Sequence, residues 1–244
     1  MREVRVLSTV DEAARTDLSG CAVAVIDVLR ATTSMAYMFS SGAKAICPVG
    51  EVEAAREQRL NMPGALLCGE RNGVPPEGFD MGNSPAEFKE ADLSGKEMIL
   101  TTTNGTQAVA CAMKARLLVA VACVNAAAVA RYICENTEIE PVYLLCAGTQ
   151  GRFSIEDFYC AGLVASHIRE LCKANLDDFS WAAAKLTQLP VSSVVNAGTC
   201  KHLAFLLESG FKTDIELALS TEHDGSNIAV PLYDRDSGCF VPVN

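Results

Sequence analysis

Four times along the chain, a short apolar run ends in a cluster of small polar residues and gives way to a segment of helical pattern. CAVAVID (21–27) leads through VLRATT into SMAYMFSSGA, and EMILT (97–101) leads through TTNGT into QAVACAMKA. LLVAVA (117–122) is followed by CVN and AAAVARYICE, and VYLLC (142–146) by AGTQGRFS and IEDFYCAGLVASHIRELCK. AKAICPV, before EVEAAREQRL, and ALLCGE also begin as strands. Short β-branched runs bounded by turn residues and alternating with helical segments predict βα units. The fold class that follows is α/β, a three-layer α/β/α arrangement around a mostly parallel or mixed sheet.

In open parallel sheets the loops after the strand carboxyl ends line one crevice, and ligands bind there. The polar clusters are those loops. Thr32, Thr33, Thr102, Thr103, Asn104, Thr106, Thr149 and Ser154 fall near helix N-termini. There hydroxyls cap the helix and free N–H groups face an anion. A phosphate, sulfonate or carboxylate is the ligand such a crevice favours.

Beyond about residue 173 the pattern weakens. DDFSWAAAKLTQ reads as a helix capped by an Asp, and CKHLAFLLESGF as a helix ended by Gly210. STEHDGSN reads as a polar loop and IAVPLYD as a short strand or extended tail. No Pro/Ser-rich linker divides the chain. The expected organisation is a single domain, 1–244, with a core of about 1–172 and a C-terminal subregion of about 173–244 packed on it.

Composition narrows the function. The chain has 244 residues, half of them hydrophobic, and a formal charge of -10. No Lys/Arg cluster appears, which argues against nucleic acid as a partner. An acidic protein and an anionic ligand repel each other unless a cation stands between them. The eleven cysteines are scattered singly, with no CxxC. This argues against zinc and iron–sulfur sites and reads as buried thiols in a reducing cytoplasm. The N-terminus, MREVRVLSTVDEAAR, lacks a signal-peptide apolar core, and no apolar run reaches a membrane span of ~20 residues.

Candidate chemistry sits in the loops. Asp27 ends an apolar strand, where it can bind a metal, act as a carboxylate catalyst, or simply pair with Arg30. A DxD phospho-aspartate motif is absent, because position 29 is Leu. Arg30 offers a planar fork for phosphate or carboxylate. GERNGVPPEGFDMGNSP (69–85) interrupts any regular element with glycines and prolines and carries Glu70, Arg71 and Asn72 just past a strand. A loop of this length is a functional candidate, against the alternative of a solvated Ω-loop. In CAGTQGRFSIEDFYCAG, Arg152 can reach the crevice, and Glu156 and Asp157 either favour the helix N-terminus or hold a divalent cation. Cys146 lacks the Cys-x5-Arg spacing of thiolate phosphatases and reads as core. His167 and His202 read as structural, and His223 is a weak candidate.

Taken together, VIDVLRATT, GERNGVPPEGFDMGNSP, TTTNGT and CAGTQGRFSIEDFYCAG, in this order and spacing, closely resemble the 2-phosphosulfolactate phosphatase family. The likeness covers roughly residues 20–170, and SGFKTDIELAL, the acid of HDGS and Val230-Pro231 follow it more loosely. The resemblance implies a cytoplasmic, Mg²⁺-dependent hydrolase that converts 2-phosphosulfolactate to 3-sulfolactate and phosphate in coenzyme M biosynthesis, or acts on a related 2-phosphorylated hydroxy acid. It points to Asp27, Arg30, Thr32, Thr33, Glu70, Arg71, Asn72, Asn83, Ser84, Thr103, Asn104, Thr149, Arg152, Glu156 and Asp157. Chemistry then suggests roles. Asp27, Glu70 and Asp157, with Glu156, would hold Mg²⁺ and orient water. The arginines would take the substrate's charges, and Thr103, Asn104 and Thr149 its phosphoryl oxygens. The partner would be a small anionic phosphorylated substrate, with no nucleic acid and no membrane, and the assembly a homodimer by the prevalence of two-fold oligomers. The rival reading is an anion-binding or sensor protein that uses the same crevice without turnover.

Overall fold

The structure is a computed structural model that describes residues 2–136, 139–221 and 228–243. His223 and the acid of HDGS lie outside the described residues. The chain runs β1 (Glu3–Leu7), α1 (Val10–Ala13), β2 (Ala22–Ile26), α2 (Ala31–Ser40), β3 (Ala45–Pro48), α3 (Val52–Asn61), β4 (Leu66–Gly69), α4 (Pro85–Glu90) and β5 (Glu97–Thr101). It continues through α5 (Gly105–Ala112), β6 (Leu117–Val121), α6 (Ala126–Glu135), β7 (Val142–Cys146), α7 (Ile155–Cys172), β8 (Asn175–Leu176) and α8 (Asp178–Leu186). Last come α9 (Val191–Val194), α10 (Lys201–Glu208), α11 (Lys212–Ala218), β9 (Val230–Asp234) and β10 (Cys239–Val243).

The ten strands of the described residues join one sheet in the order β4-β5-β3-β10-β9-β6-β2-β7-β1-β8. β4, β5 and β3 are parallel, as are β6, β2, β7, β1 and β8. The β9–β10 hairpin joins the two groups through antiparallel pairings. The α/β class with a mostly parallel mixed sheet, expected from the pattern, is what forms.

The central strands are apolar along their whole length because both faces are covered, as parallel sheets require. In β2, Ala22, Ala24 and Ile26 face one core with α6, α7 and α8, while Val23 and Val25 face a second core with α2 and α5. β6 and β7 alternate in the same way. Helix α2 is buried from Ala31 to Phe39. Side chains from both strand groups, Val25 and Leu145 on one side and Ile46, Cys68 and Leu100 on the other, share its core. The sheet therefore curls around α2. Its twist, about 20–25° per strand step, turns the two opposed groups back toward one cleft.

The hydroxyls on so apolar a helix are spent locally. Thr32 and Thr33 donate to the carbonyls of Asp27 and Val28, each at 2.8 Å, and Ser34 donates to the Asn83 carbonyl at 3.3 Å.

The cysteines depart from the sequence reading of isolated thiols. Cys47 pairs with Cys239, and Cys134 with Cys172, as disulfides. Cys47 meets Cys239 because Ile46 is in register with Phe240 across the antiparallel β3–β10 pair. Sequence separations of 192 and 38 residues give no hint of either pairing. The other seven cysteines are free, and six of them are buried. Among the described residues no helix is long and apolar enough to cross a membrane.

Candidate active site

Asp27 is the first residue after β2, and its loop is closed by its own helix. The Thr32 hydroxyl accepts from the Asp27 N–H at 3.1 Å, and the Asp27 carboxylate accepts from the Ala31 N–H at 3.4 Å. Helix α5 begins against this loop only because residue 105 is Gly. A Cβ there would come within 2.7 Å of the Ala31 Cβ and 2.8 Å of Asp27 Oδ2. The loops after β2 and β5 thus meet at the Asp27 carboxylate.

Glu70 follows β4 and ties its own loop to the loop after β5. Its Oε1 accepts from the Thr103 N–H and hydroxyl at 3.0 and 2.9 Å, and its Oε2 from the Gly73 N–H at 2.9 Å. Arg71 turns away from the cleft and donates to the Gly50 carbonyl and the Thr101 hydroxyl. Asn72, in the left-handed region at φ 54°, lines the cleft with Gly73. Asn83 is buried in the wall, and among the described residues its Oδ1 has no hydrogen-bond partner. Ser84 caps α4 and donates to Asp214 at 2.6 Å.

The third loop supplies Thr102, Thr103 and Asn104 to the lining, and the fourth supplies Thr149 and Gln150. Asn104 Oδ1 accepts from the Gln150 N–H at 3.1 Å, which joins the two loops and leaves the Asn104 amide nitrogen free among the described residues. Beneath the floor, Asp157 accepts from the Val28 N–H at 2.9 Å and the Gly148 N–H at 3.0 Å. It fastens the loop after β7 to the loop after β2 and does not itself line the cleft. Glu156 is buried too, and accepts from the Cys200 thiol at 3.1 Å. Arg152 is exposed on the turn outside the lining.

Arg30 lines the cleft, but its ion pair is not with Asp27. The guanidinium bonds Asp214 at 2.7 Å, donates to the Gly73 carbonyl at 3.2 Å and stacks over Phe211 at 4.0 Å. The remaining wall is α10, which contributes Lys201, His202, Phe205 and Leu206 to a cavity of about 280 Å³. Sequence reasoning missed this wall and Asp214. His202, taken as structural, lines the cavity beside Phe205, their rings 6.0 Å apart. The only available signal was the sequence likeness that reaches SGFKTDIELAL, which says nothing of where its side chains point.

Burial sets the electrostatics. It pushes the Asp27 carboxyl up from 3.8 to about 7; the Ala31 amide opposes, and the charges of Glu70 and Glu156 add to the rise. Burial, then Glu156 and Asp27, also raises Asp157, against the two amides that hold it. Burial lowers His202, which favours its neutral form, and raises Cys146 too far for it to serve as a thiolate. Among the described residues no three His, Cys, Asp or Glu side chains converge as a metal cage. Mg²⁺ does not require one. It keeps several waters and binds through one or two carboxylates plus phosphate oxygens. Asp27, Glu70 and Asn83 all line the cleft, and their side chains supply the hard oxygen atoms that such an ion takes.

The family model described as 2-phosphosulpholactate phosphatase matches residues 7–234. A protein of Thermotoga petrophila called "Probable 2-phosphosulfolactate phosphatase" is 38% identical over 203 residues, covering 81% of this chain and 84% of that one. A protein of the same description from Carboxydothermus hydrogenoformans is 40% identical over 197 residues, 80% of each chain. One from Clostridium perfringens is 34% identical over 218 residues, 88% of this chain and 87% of that one. With nearly the whole chain matched, the protein belongs to the 2-phosphosulfolactate phosphatase family of phosphoric monoester hydrolases.

Proposed function

We propose that the protein is a Mg²⁺-dependent phosphatase that hydrolyses 2-phosphosulfolactate to 3-sulfolactate and phosphate, a step of coenzyme M biosynthesis. The observation that carries this reading is the placing of two carboxylates, Asp27 and Glu70, in the same polar cavity as Arg30. Carboxylates facing a phosphate monoester make sense when a cation stands between them. Asp27 and Glu70, with Asn83 Oδ1, would hold Mg²⁺, which when bound supplies positive charge to phosphoryl oxygens and a more acidic water.

The residues of the chain then have distinct tasks. Asp27, as a charged carboxylate beside the ion, accepts a hydrogen bond from the attacking water and orients it. Glu70, gripped by Thr103 and Gly73, is fixed in place before substrate arrives. The Asn104 amide and Thr149 donate to phosphoryl oxygens, and Arg30 offers its remaining donors to an anionic oxygen. Such catalysis is mostly positioning and charge stabilisation. The reading carries with it a cytoplasmic enzyme, and a homodimer by the prevalence of two-fold assemblies.

The test is phosphate release from racemic 2-phosphosulfolactate, with Mg²⁺ and with EDTA. Release that needs Mg²⁺ is the expected result. Tight binding without release under either condition overturns the phosphatase reading in favour of a binding protein.

A further inference from the structure

The two sides of the cleft differ in chemistry. The strand-end loops present carboxylates, hydroxyls and amides, a surface for a phosphoryl group with its cation. Helix α10 presents Lys201 and His202 over the apolar Phe205 and Leu206. The charges differ as well. Arg30 lines the cleft, but its charge is already opposed by Asp214 at 2.7 Å, both side chains 2% exposed. His202 leans to its neutral form because of burial. Lys201 is exposed, lines the cavity, and has no ion-pair or hydrogen-bond partner among the described residues. It is thus a cleft cation with no ion-pair partner among the described residues.

On the loop side the charged lining groups are Asp27, Glu70 and an Arg30 already paired with Asp214, so a second strong anion on the substrate finds its unpaired cation on α10. We propose that Lys201 is a specificity-determining residue that binds the sulfonate of the substrate, with the Phe205 ring covering the methylene that carries it. The assignment rests on the phosphatase reading given above. An ammonium is a compact donor with no directional fork, suited to the tetrahedral face of a sulfonate. A sulfonate stays charged at every working pH, so the contact needs no proton.

Two substrates isolate the contact. 2-Phosphosulfolactate and 2-phospholactate differ only in the sulfonate, so the ratio of their kcat/KM values reads recognition of that group. Lys201→Met keeps an apolar stem and removes the charge. It should lower the ratio by roughly tenfold or more, the range of a charged hydrogen bond, and Lys201→Arg should restore most of it. A ratio unchanged within about threefold overturns the assignment, whether or not both rates fall. Calorimetric titration with 3-sulfolactate, which carries no phosphate, separates this failure from failure of the phosphatase reading. If wild type hydrolyses neither substrate yet binds 3-sulfolactate more tightly than lactate, and Lys201→Met removes that difference, the phosphatase reading falls and the sulfonate contact stands. If wild type does not bind 3-sulfolactate, or Lys201→Met binds it equally well, the contact is refuted.

Discussion

Arg30 and Asp214 meet across 184 residues of chain, Nη1 to Oδ2 at 2.7 Å, with both side chains out of water. Arg30 stands at the N-terminus of α2, and Asp214 lies on α11, far along the sequence. The other Asp214 oxygen accepts from the Ser84 hydroxyl at 2.6 Å and the Ala86 N–H at 3.1 Å. One carboxylate therefore gathers the loop after β2, the start of α4 and helix α11 around the cleft. Arg30 in turn reaches the Gly73 carbonyl, so the Glu70 loop joins the same assembly.

Breaking this pair should be costly on two counts. Removing one partner of a buried ion pair leaves the other charge uncompensated, at about 3–5 kcal/mol. For a chain of this size each kcal/mol moves Tm by roughly 2–4 °C. Asp214→Ala should therefore lower Tm by roughly 6–20 °C in calorimetry and reduce kcat/KM through loss of the Arg30 geometry. Asp214→Asn keeps one acceptor for Ser84 and Ala86, so it should fall between wild type and Ala. A Tm for Asp214→Ala within about 2 °C of wild type would mean that water already compensates Arg30.

Glu70 offers a sharper test of the site, because its two oxygens receive three donors from two loops. Glu70→Gln replaces one acceptor oxygen with an NH₂ that must face an N–H or a hydroxyl. The mismatch should cost about 1–3 kcal/mol of stability. Loss of the carboxylate should lower kcat/KM by roughly 10²-fold or more. Steady-state kinetics together with a thermal melt read both. Activity within about threefold of wild type would remove Glu70 from the reacting centre.

The residue before Glu70 shows why the loop has its shape. Gly69 has φ 144°, and a Cβ built there would collide with the Thr101 carbonyl oxygen. The Glu70 N–H donates to that same carbonyl at 3.0 Å. Gly69→Ala should part the end of β4 from β5 and carry Glu70 away from Thr103. The expected result is a lowered Tm and an activity loss at least as large as that of Glu70→Gln. A variant that keeps wild-type kinetics would show that the Glu70 contacts to Thr103 and Gly73 survive the shift.

The strands at the centre of the sheet were legible because burial on both faces leaves uninterrupted apolar runs, as in AVAVI and VYLLC. The strand-end loops were legible for the same reason, since polar clusters stand out against such runs. β1 was not read, because EVRVL is short and partly polar. Of the β9–β10 hairpin the sequence showed only a short strand or extended tail at IAVPLYD and nothing of β10, yet the pair occupies the middle of the sheet. Pro231 and Pro242 argue against central strands, which ordinarily need every N–H. The structure resolves this by setting the two prolines opposite each other, while the ladders from β9 to β6 and from β10 to β3 are one residue pair each. Few N–H groups are needed on those outer sides. The α10 wall was illegible for a different cause. In KHLAFLLE the apolar periodicity marks a packed helix, but only the tertiary fold decides that Lys201 and His202 face a cavity.

The Asp27 carboxyl gives a pH dependence whose sign can be stated. Its pKa lies at about 7 in the folded protein against an ordinary 3.8, so the folded state holds the proton more tightly than the unfolded chain. Stability from this group is present at low pH and is lost as pH rises through about 7. His202, lowered by burial, acts in the opposite sense as it loses its proton. The informative quantity is therefore the difference between wild type and Asp27→Asn. With EDTA present the two should melt most alike near pH 4, where Asp27 keeps its proton, and Asp27→Asn should melt several degrees higher at pH 8.5, where wild type carries a buried charge. Added Mg²⁺ should raise the wild-type Tm at pH 8.5 and leave Asp27→Asn almost unmoved, because an ion favours the charged carboxylate. Parallel curves for the two proteins across this range would show that Asp27 is already ionised well below neutral pH.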